Sequence, residues 1–140
     1  MARVLALDLG EKRVGVAVSD PLGMTAQGLE TLPRRGGKAD REAVARLARE
    51  YDITRVVIGL PLRLDGDEGP AALAARRFAT RLEPALGLPV ELWDERLTTA
   101  EVEKVLLSGG VRRQRRRQER DRLAAIVLLQ SWLDAHPARG

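Results

Sequence analysis

Acidic side chains stand where the core elements predicted from the sequence begin or end. Asp8 closes an apolar strand, directly before a turn at Gly10. Asp94 and Glu95 follow another strand in the same way. Asp121 comes one turn before a helix that is otherwise apolar. Each acid alone has an ordinary structural explanation, as a turn acceptor or as a favourable charge near a helix N-terminus.

Together these acids could converge on one side of a sheet and support metal chemistry. Carboxylate oxygens are the ligands of hard divalent cations such as Mg²⁺ and Mn²⁺. Two such ions about 3.5–4 Å apart can activate a water and stabilise the leaving oxygen of a phosphodiester. The chain has no cysteine and a single histidine, His136. An all-carboxylate site is therefore the metal site it can readily build, whereas thiolate zinc sites, iron–sulfur clusters, disulfides and cysteine nucleophiles are excluded.

The positive charge of the chain is concentrated in one segment. The whole chain carries a net charge of +4. Residues 112–122 contain seven arginines against Glu119 and Asp121, a net of +5, so the rest of the chain sums to −1. Such a basic block favours a polyanionic partner. Since no amphipathic aromatic stripe lies beside it, nucleic acid is favoured over a membrane surface.

Length and composition indicate one globular domain, residues 1–140. Apolar residues make up 44% of the 140 and charged residues 31%, which is typical of a folded chain. No apolar run reaches the ~18 residues of a membrane span. Asp8 interrupts the first apolar stretch before a signal peptide could form. We therefore expect a soluble protein of the cytoplasm with no membrane partner.

The elements that must position these acids alternate between strands and helices after an initial meander. Apolar runs and turn signals predict three consecutive strands, then strand–helix alternation, then two helices. This order predicts an α/β fold with a mixed sheet and helices on its faces. Asp40, Pro70 and the capping box Thr98–Glu101 mark the starts of the first three helices. The predicted strands are residues 3–8, 14–19, 25–32, 55–58 and 90–93, and the last helix is residues 123–133.

Four motifs follow one another along the chain in a specific order and spacing. They are LALDLGEKRVGVAVSD at 5–20, VVIGLPLRLDGDEG at 56–69, WDERLTTAE at 93–101 and DRLAAIVLLQSWLD at 121–134. Together they resemble the RuvX family, also called YqgF, whose RNase H-like members are described as Holliday junction resolvases and pre-16S rRNA nucleases. The resemblance runs from Leu5 to about Leu133, almost the whole chain.

The resemblance implies an RNase H-like fold, with a five-stranded mixed sheet whose first three strands are antiparallel, flanked by helices. It also implies a metal-dependent nuclease with Mg²⁺ or Mn²⁺ as cofactor. Its catalytic and metal-binding residues would be Asp8, Glu95 and Asp121. Related resolvases carry a carboxylate at the end of the fourth strand, where residues 58–61 (IGLP) of this chain contain no acid. The family pattern moves that role to Glu95.

Basic and hydroxyl side chains near these acids are the candidates for binding nucleic acid. The first hairpin and the segment after the fifth strand could contact phosphates, although solvated charges and a helix cap are the alternatives. The arginine block would hold the phosphate backbone. The candidates are Lys12, Arg13, Arg96, Thr99, Arg112, Arg113, Arg115, Arg116 and Arg117.

Several functions remain open on these observations. The leading one is a hydrolase of structured nucleic acid, with 5′-end maturation of pre-16S rRNA in ribosome biogenesis as its role. A Holliday junction resolvase would use the same chemistry and would need a two-fold homodimer to cut symmetrically. The Asp-x-Gly turn at Asp8 also resembles the phosphate loop of actin-like ATPases and sugar kinases, which usually repeat the unit across two domains. A non-catalytic nucleic-acid-binding protein is the alternative of another class.

Overall fold

The fold, seen in a computed structural model, is a mixed sheet with helices on both faces. The structure describes residues 3–63, 65–94 and 113–137, and for 113–120 the backbone alone. The strands are β1 (Val4–Leu9), β2 (Arg13–Ser19), β3 (Ala26–Gly28), β4 (Leu32–Pro33), β5 (Arg55–Leu60) and β6 (Val90–Asp94). The helices are α1 (Gly37–Glu50), α2 (Pro70–Leu86) and α3 (Arg113–Ala135).

The sheet combines an antiparallel half with a parallel half. Its strands lie in the order β3-β2-β1-β5-β6, and β4 pairs with β2. Strand β2 is antiparallel to β1, β3 and β4, whereas β1, β5 and β6 run parallel to one another. The carboxyl ends of the three parallel strands therefore lie at one edge, where α/β proteins place their sites. The predicted α/β fold, with a mixed sheet whose first strands are antiparallel, is confirmed.

Strand alternation divides the core between the two faces of the sheet. Large aliphatic side chains such as Leu5, Leu7 and Ile58 pack toward α1 and α2. The other face carries smaller side chains, among them Ala6 and Ala17, and is covered by α3. Because helices cover both faces, β1 and β2 read as nearly continuous apolar runs rather than as alternating ones.

The third predicted strand is split in two by the register of β2. The sequence predicts one strand over residues 25–32, whereas the structure has the short strands β3 and β4, both paired with β2. Ala17 pairs with Gly28, and Val14 pairs with Leu32. Three residues thus oppose two between these pairs, which is the extra residue of a β-bulge.

Asp40 does not cap the first helix, so that prediction is wrong. Helix α1 begins at Gly37, which places Asp40 within its first turn. The Asp40 carboxylate accepts hydrogen bonds from Arg34 Nε at 3.0 Å and from the backbone N–H of Arg35 at 2.9 Å. The preceding loop folds back onto the carboxylate and occupies the oxygens that a cap would use. By contrast, α2 begins at Pro70 as predicted.

The last helix is longer than its apolar stretch predicts. Residues 123–133 form only part of α3, which begins at Arg113, so Asp121 lies inside the helix and not one turn before it. Arginine is a strong helix former, which explains why the basic block continues the helix. The helix predicted to start at the capping box Thr98–Glu101 lies outside the described residues.

Candidate active site

Asp8 lies on the α3 side of the sheet, near the carboxyl end of β1. The preceding residues in the strand alternation, Val4 and Ala6, belong to the buried cluster that α3 covers. Since alternate side chains of a strand point to one face, the Asp8 side chain leaves from that face as well. Asp8 is partly buried, whereas Val4 and Ala6 are buried. The strand thus carries its carboxylate from the core to the edge of the sheet.

Gly15 allows helix α3 to pack directly onto the sheet beside Asp8. In the β1–β2 ladder Asp8 pairs with Gly15, so the two are cross-strand neighbours on one face. A Cβ atom on Gly15 would stand 2.0 Å from the backbone oxygen of Asp121. No larger residue leaves room for so close a backbone approach. Asp121 therefore lies over the cross-strand neighbour of Asp8.

The Asp121 carboxylate faces the turn between β1 and β2. Its Oδ2 accepts a hydrogen bond from Arg13 Nε at 3.1 Å. Its Oδ1 lies 3.7 Å from the place where Gly10 would carry a Cβ atom. The side chains of Arg13 and Asp121 are 24% and 21% exposed, so solvent screens their ion pair only in part, and its net contribution to stability is on the order of 1 kcal/mol. The contact fixes the direction of the carboxylate more than it stabilises the fold.

Asp94 and Glu95 are the two candidate acids at the end of β6, and strand alternation distinguishes between them. Trp93 shares the α3 face, since its Nε1–H donates to Ser131 Oγ of α3 at 3.1 Å. Asp94 is the next residue of the strand, so its side chain leaves from the opposite face. Asp94 is thereby directed away from the side on which Asp8 lies. Glu95 lies outside the described residues and remains the candidate at this strand end.

A glycine stands between Asp8 and the end of β6. The ladder between β1 and β5 pairs Leu7 with Ile58, so the next residues along both strands are Asp8 and Gly59. Gly59 in turn pairs with Trp93 of β6. Because Gly59 has no side chain, β5 places no bulk on the face between Asp8 and the strand end that precedes Glu95. Strand β5, which was predicted as the fourth strand and has no acid at its end, therefore leaves this part of the face without a side chain.

The predicted nucleic-acid-binding residues fall into three groups. Lys12 is exposed in the turn between β1 and β2, and its contact with a phosphate stays a prediction. Arg13 pairs with Asp121, so it positions a carboxylate as well as carrying charge. The backbone of α3 carries Arg113, Arg115, Arg116 and Arg117 within about two turns before Asp121. Arg96, Thr99 and Arg112 lie outside the described residues.

Two residues that build this site were missed at the level of sequence. Gly15 interrupts a valine-rich strand, and a glycine within a strand often marks the close approach of another backbone. This signal could have been used. Arg34 donates from one nitrogen to the carbonyl of Gly10, at 2.8 Å, and from Nε to Asp40. Its partners are 24 and six residues away in the chain, so no local pattern marks it.

Aromatic and polar contacts hold the opposite end of α3. Trp132 Nε1–H donates to the Glu91 carboxylate, with its two oxygens at 3.1 and 3.2 Å. The His136 ring stacks on that of Trp132 with 4.2 Å between the ring centroids. His136 Nδ1 also lies 2.8 Å from the Trp132 carbonyl oxygen. The single histidine of the chain thus packs against the end of this helix, far along it from Asp121.

Asp8 and Asp121 have the chemistry that a hard divalent cation requires. Both are carboxylates, and the packing at Gly15 brings the elements that carry them together at one edge of the sheet. In the part of the chain that the structure describes, no group of three His, Asp or Glu side chains could hold a metal ion. The third residue of the predicted set is Glu95, whose placement is not described. Two of the three expected ligands are therefore consistent with a cation site.

Two solved structures share this fold over nearly the whole chain. RuvC of T. thermophilus, in complex with a Holliday junction substrate, matches with a TM-score of 0.61 and 14% identity over 99% of each chain. The fowlpox virus resolvase, in complex with Holliday junction DNA, matches with a TM-score of 0.59 and 12% identity over 97% of this chain and 99% of that chain. The chain therefore has the RNase H-like fold that these structures share, as the sequence predicts.

The family is shown by sequence similarity over nearly the whole chain. The family model "RuvX: Holliday junction resolvase" matches residues 2–135. A relative from Myxococcus xanthus is 54% identical over 134 residues, covering 96% of this chain and 89% of that protein. A relative from Lactococcus lactis subsp. lactis is 51% identical over 137 residues and 96% of each chain. Both relatives bear the name "Putative pre-16S rRNA nuclease". The chain belongs to the RuvX family.

Family membership confirms two predictions made from the sequence. The interpretation of the chain as a hydrolase of the nuclease class is confirmed, and with it a nucleic-acid substrate.

Within the described ranges, none of the helices combines the length and apolar character that crossing a membrane requires.

Proposed function

We propose that this chain matures the 5′ end of pre-16S rRNA by hydrolysing phosphodiester bonds in structured RNA. Relatives with 54% and 51% identity, aligned over 96% of the chain, bear the name of a pre-16S rRNA nuclease. The arginine-rich first turns of α3, which lead to Asp121, suit a phosphate backbone. A cytoplasmic location is part of the proposal, since precursor rRNA is the substrate it names.

The approach of α3 to β2 is the observation that carries this proposal. A Cβ atom at Gly15 would stand 2.0 Å from the Asp121 backbone oxygen, so the strand residue beneath Asp121 has to be glycine. An aspartate that served only to solvate a helix surface would not need this arrangement. The approach instead brings acids from β1 and α3 to one edge, which is what a carboxylate site for cations requires.

The roles of the individual side chains follow from their positions. Asp8, Glu95 and Asp121 would hold a pair of Mg²⁺ or Mn²⁺ ions. When bound, such ions activate a water and stabilise the leaving oxygen of the phosphodiester. Arg13 orients the Asp121 carboxylate through the bond from Nε to Oδ2. Lys12, in the exposed turn, and the arginines at the start of α3 would supply positive charge for the phosphate backbone.

A cleavage assay with Mg²⁺ and with Mn²⁺ tests this function. The substrates are an RNA that resembles the 16S precursor, single-stranded RNA and DNA, duplex DNA and a four-way DNA junction. We expect cleavage of the precursor-like RNA, and we expect Asp8→Asn to lower kcat by about 10²–10³-fold or more while the fold is kept. Equal cleavage by wild type and Asp8→Asn would contradict the assigned site.

Asp94→Asn is the matched control for this experiment. It removes the same charge from an acid at the same edge of the sheet, but from the face opposite to Asp8. We expect Asp94→Asn to cleave within about twofold of wild type, because charges on the far side are screened by solvent. If binding is salt-sensitive but no substrate is cut with either metal, the chain acts as a binding protein and the proposed activity is wrong.

A Holliday junction resolvase is the second candidate function. Membership of the RuvX family favours it, because the family model that matches residues 2–135 is that of a Holliday junction resolvase. Symmetric cutting of a junction needs two copies of the site related by a two-fold axis, and therefore a homodimer. Symmetric junction cuts that are lost in Asp8→Asn would favour this candidate. Sedimentation that shows only monomer, with and without junction DNA, would contradict it.

A further inference from the structure

The turn that carries Lys12 and Arg13 is fastened by the chain segment that precedes α1. Within the turn, the Gly10 N–H donates to the Arg13 carbonyl at 2.9 Å. The Arg34 backbone N–H donates to the Lys12 carbonyl, also at 2.9 Å. The Arg34 guanidinium donates through Nη1 to the Gly10 carbonyl at 2.8 Å. One residue, Arg34, therefore binds the turn near both of its ends.

The Arg34 guanidinium is itself anchored on a buried carboxylate. Arg34 Nε donates to Asp40 Oδ2 at 3.0 Å, and the Asp40 side chain is only 4% exposed. Asp40 Oδ1 is held by the Arg35 backbone N–H at 2.9 Å. A buried carboxylate with two fixed donors has little freedom to move. The guanidinium thus connects a rigid point at the first turn of α1 to the carbonyl of Gly10.

We propose that Arg34 is a positioning residue, which holds the turn from Gly10 to Arg13 at the candidate active site through its anchor on Asp40. This inference rests on the proposed nuclease function, because that function assigns Lys12 to phosphate binding and Arg13 to the orientation of Asp121. The contacts that carry this inference run from Arg34 to the turn and to Asp40. Arg34 acts through the turn.

The planar fork of arginine is what this role requires. Its Nε and Nη1 donate at the same time to partners on two different elements, Asp40 and Gly10. A lysine ammonium carries the charge but has no fixed pair of directions. Arg34→Lys therefore keeps the ion pair with Asp40 and weakens the bond to Gly10, which separates positioning from the simple presence of charge.

Native-state amide exchange tests the positioning directly, without any cleavage. We expect the Gly10 amide to exchange about fivefold faster or more in Arg34→Lys than in wild type, since one hydrogen bond that holds the turn is lost. The Gly23 amide, which donates to the Asp20 carbonyl in a separate turn, serves as the internal standard. Unchanged exchange at Gly10 would overturn the proposal.

Two further variants distinguish a loss of positioning from a general loss of folding. Arg34→Gln combined with Asp40→Asn removes both charges, so no buried carboxylate is left without a partner. In this double variant the Gly10 amide should exchange faster than in wild type, as it should in Arg34→Lys. Arg35→Gln is the matched control, because it removes the same charge one residue away, while the backbone N–H that binds Asp40 remains. It should leave the Gly10 amide unchanged, and faster exchange there would contradict the assignment to Arg34.

Cleavage kinetics then separate this proposal from the proposed function. With a wild type that cleaves, we expect Arg34→Lys to lower kcat by about tenfold, because Arg13 no longer orients Asp121, and to raise KM as well, because Lys12 lies in the same turn. Normal kcat in Arg34→Lys beside an inactive Asp8→Asn would overturn the positioning role and leave the nuclease function standing. A wild type that cleaves nothing would refute the proposed function, and the amide exchange would still decide whether Arg34 holds the turn.

Discussion

The two faces of the sheet differ in the size of the side chains that they present to their helices. Toward α1 and α2, the central strands carry leucine, valine and isoleucine, which fill the space beneath the helices. Toward α3, the same strands carry smaller residues, namely Ala6, Ala17 and Gly15 beside the valines Val4 and Val57. Large side chains hold a helix away from the sheet, whereas small ones let the helix backbone approach the sheet closely. The first face serves stability, and the second determines where Asp121 stands.

The largest effect on folding is expected on the face with large side chains. Leu5 is fully buried toward α1 and α2. Leu5→Ala should lower the free energy of unfolding by about 2–5 kcal/mol, because it removes buried methyl groups and leaves a cavity. Urea denaturation measures this loss. Cleavage per folded molecule, measured at low temperature, should stay near the wild-type value, and a large loss of kcat in folded protein would contradict the division between the faces.

On the opposite face, the expected effect is larger on activity than on folding. Gly15→Ala places a Cβ atom where the Asp121 backbone oxygen is now, so α3 must shift. We expect a loss of about 1–3 kcal/mol of stability from overpacking. Cleavage should fall by about a hundredfold, because the acids are displaced. Denaturation and kcat measured on the same preparation decide the matter: a variant with normal kcat would show that the close approach does not build the site.

Substitution at the Arg13–Asp121 pair should change activity with little change in stability. Arg13→Gln removes a partly buried ion pair but keeps a side-chain N–H donor, so the free energy of unfolding should fall by about 1 kcal/mol. The unoriented carboxylate should lower kcat by about tenfold. Lys12→Gln is the matched control in the same turn, with the same change of charge, and should affect mainly KM. Equal kcat in the two variants would contradict an orienting role for Arg13.

The smallest effect is expected at the β2–β3 turn, which belongs to neither face. The Met24 N–H donates to the Asp20 carboxylate at 2.8 Å and, with smaller contributions from Thr25, holds the pKa of Asp20 below its ordinary value. A lowered pKa means that this stabilisation is present at neutral pH and is lost as the pH falls below about 4. Between pH 6 and pH 3, the wild type should lose a small part of its thermal stability, and Asp20→Asn should not. An identical loss in both proteins would contradict the stabilising role of the Asp20 carboxylate.

Much of the fold could be predicted from the sequence because its signals are local. The apolar runs around Val4–Leu9 and Arg13–Ser19 predict two strands, and Pro70 marks the first turn of α2. The predictions failed where distant residues decided the structure. The register of β2 splits the predicted third strand into β3 and β4. Asp40 resembles a cap, but the Arg34 side chain and the Arg35 backbone engage its carboxylate.

The candidate site was predictable in its residue types and only partly in its arrangement. Asp8, Asp121 and the pair Asp94 and Glu95 could be named from their positions at the ends of predicted elements, and the resemblance to a family selected Glu95 from that pair. Strand alternation places Asp94 on the face opposite to Trp93, but only the tertiary contact of Trp93 with Ser131 shows which face that is. The pairing of Arg13 with Asp121 joins residues 108 positions apart, so no local pattern contains it.

The sequence by itself determined the chemistry that is available and the elements that carry it. Its lack of cysteine, its acids at the ends of core elements and its basic block define the class of site, because composition and short-range periodicity are properties of the chain alone. Only the tertiary structure decided which of these groups meet. The approach of α3 over Gly15, the β-bulge in the pairing of β2 and the Arg34 contact with Gly10 each depend on packing between segments far apart in the chain. Such contacts form only when the sheet and its helices come together.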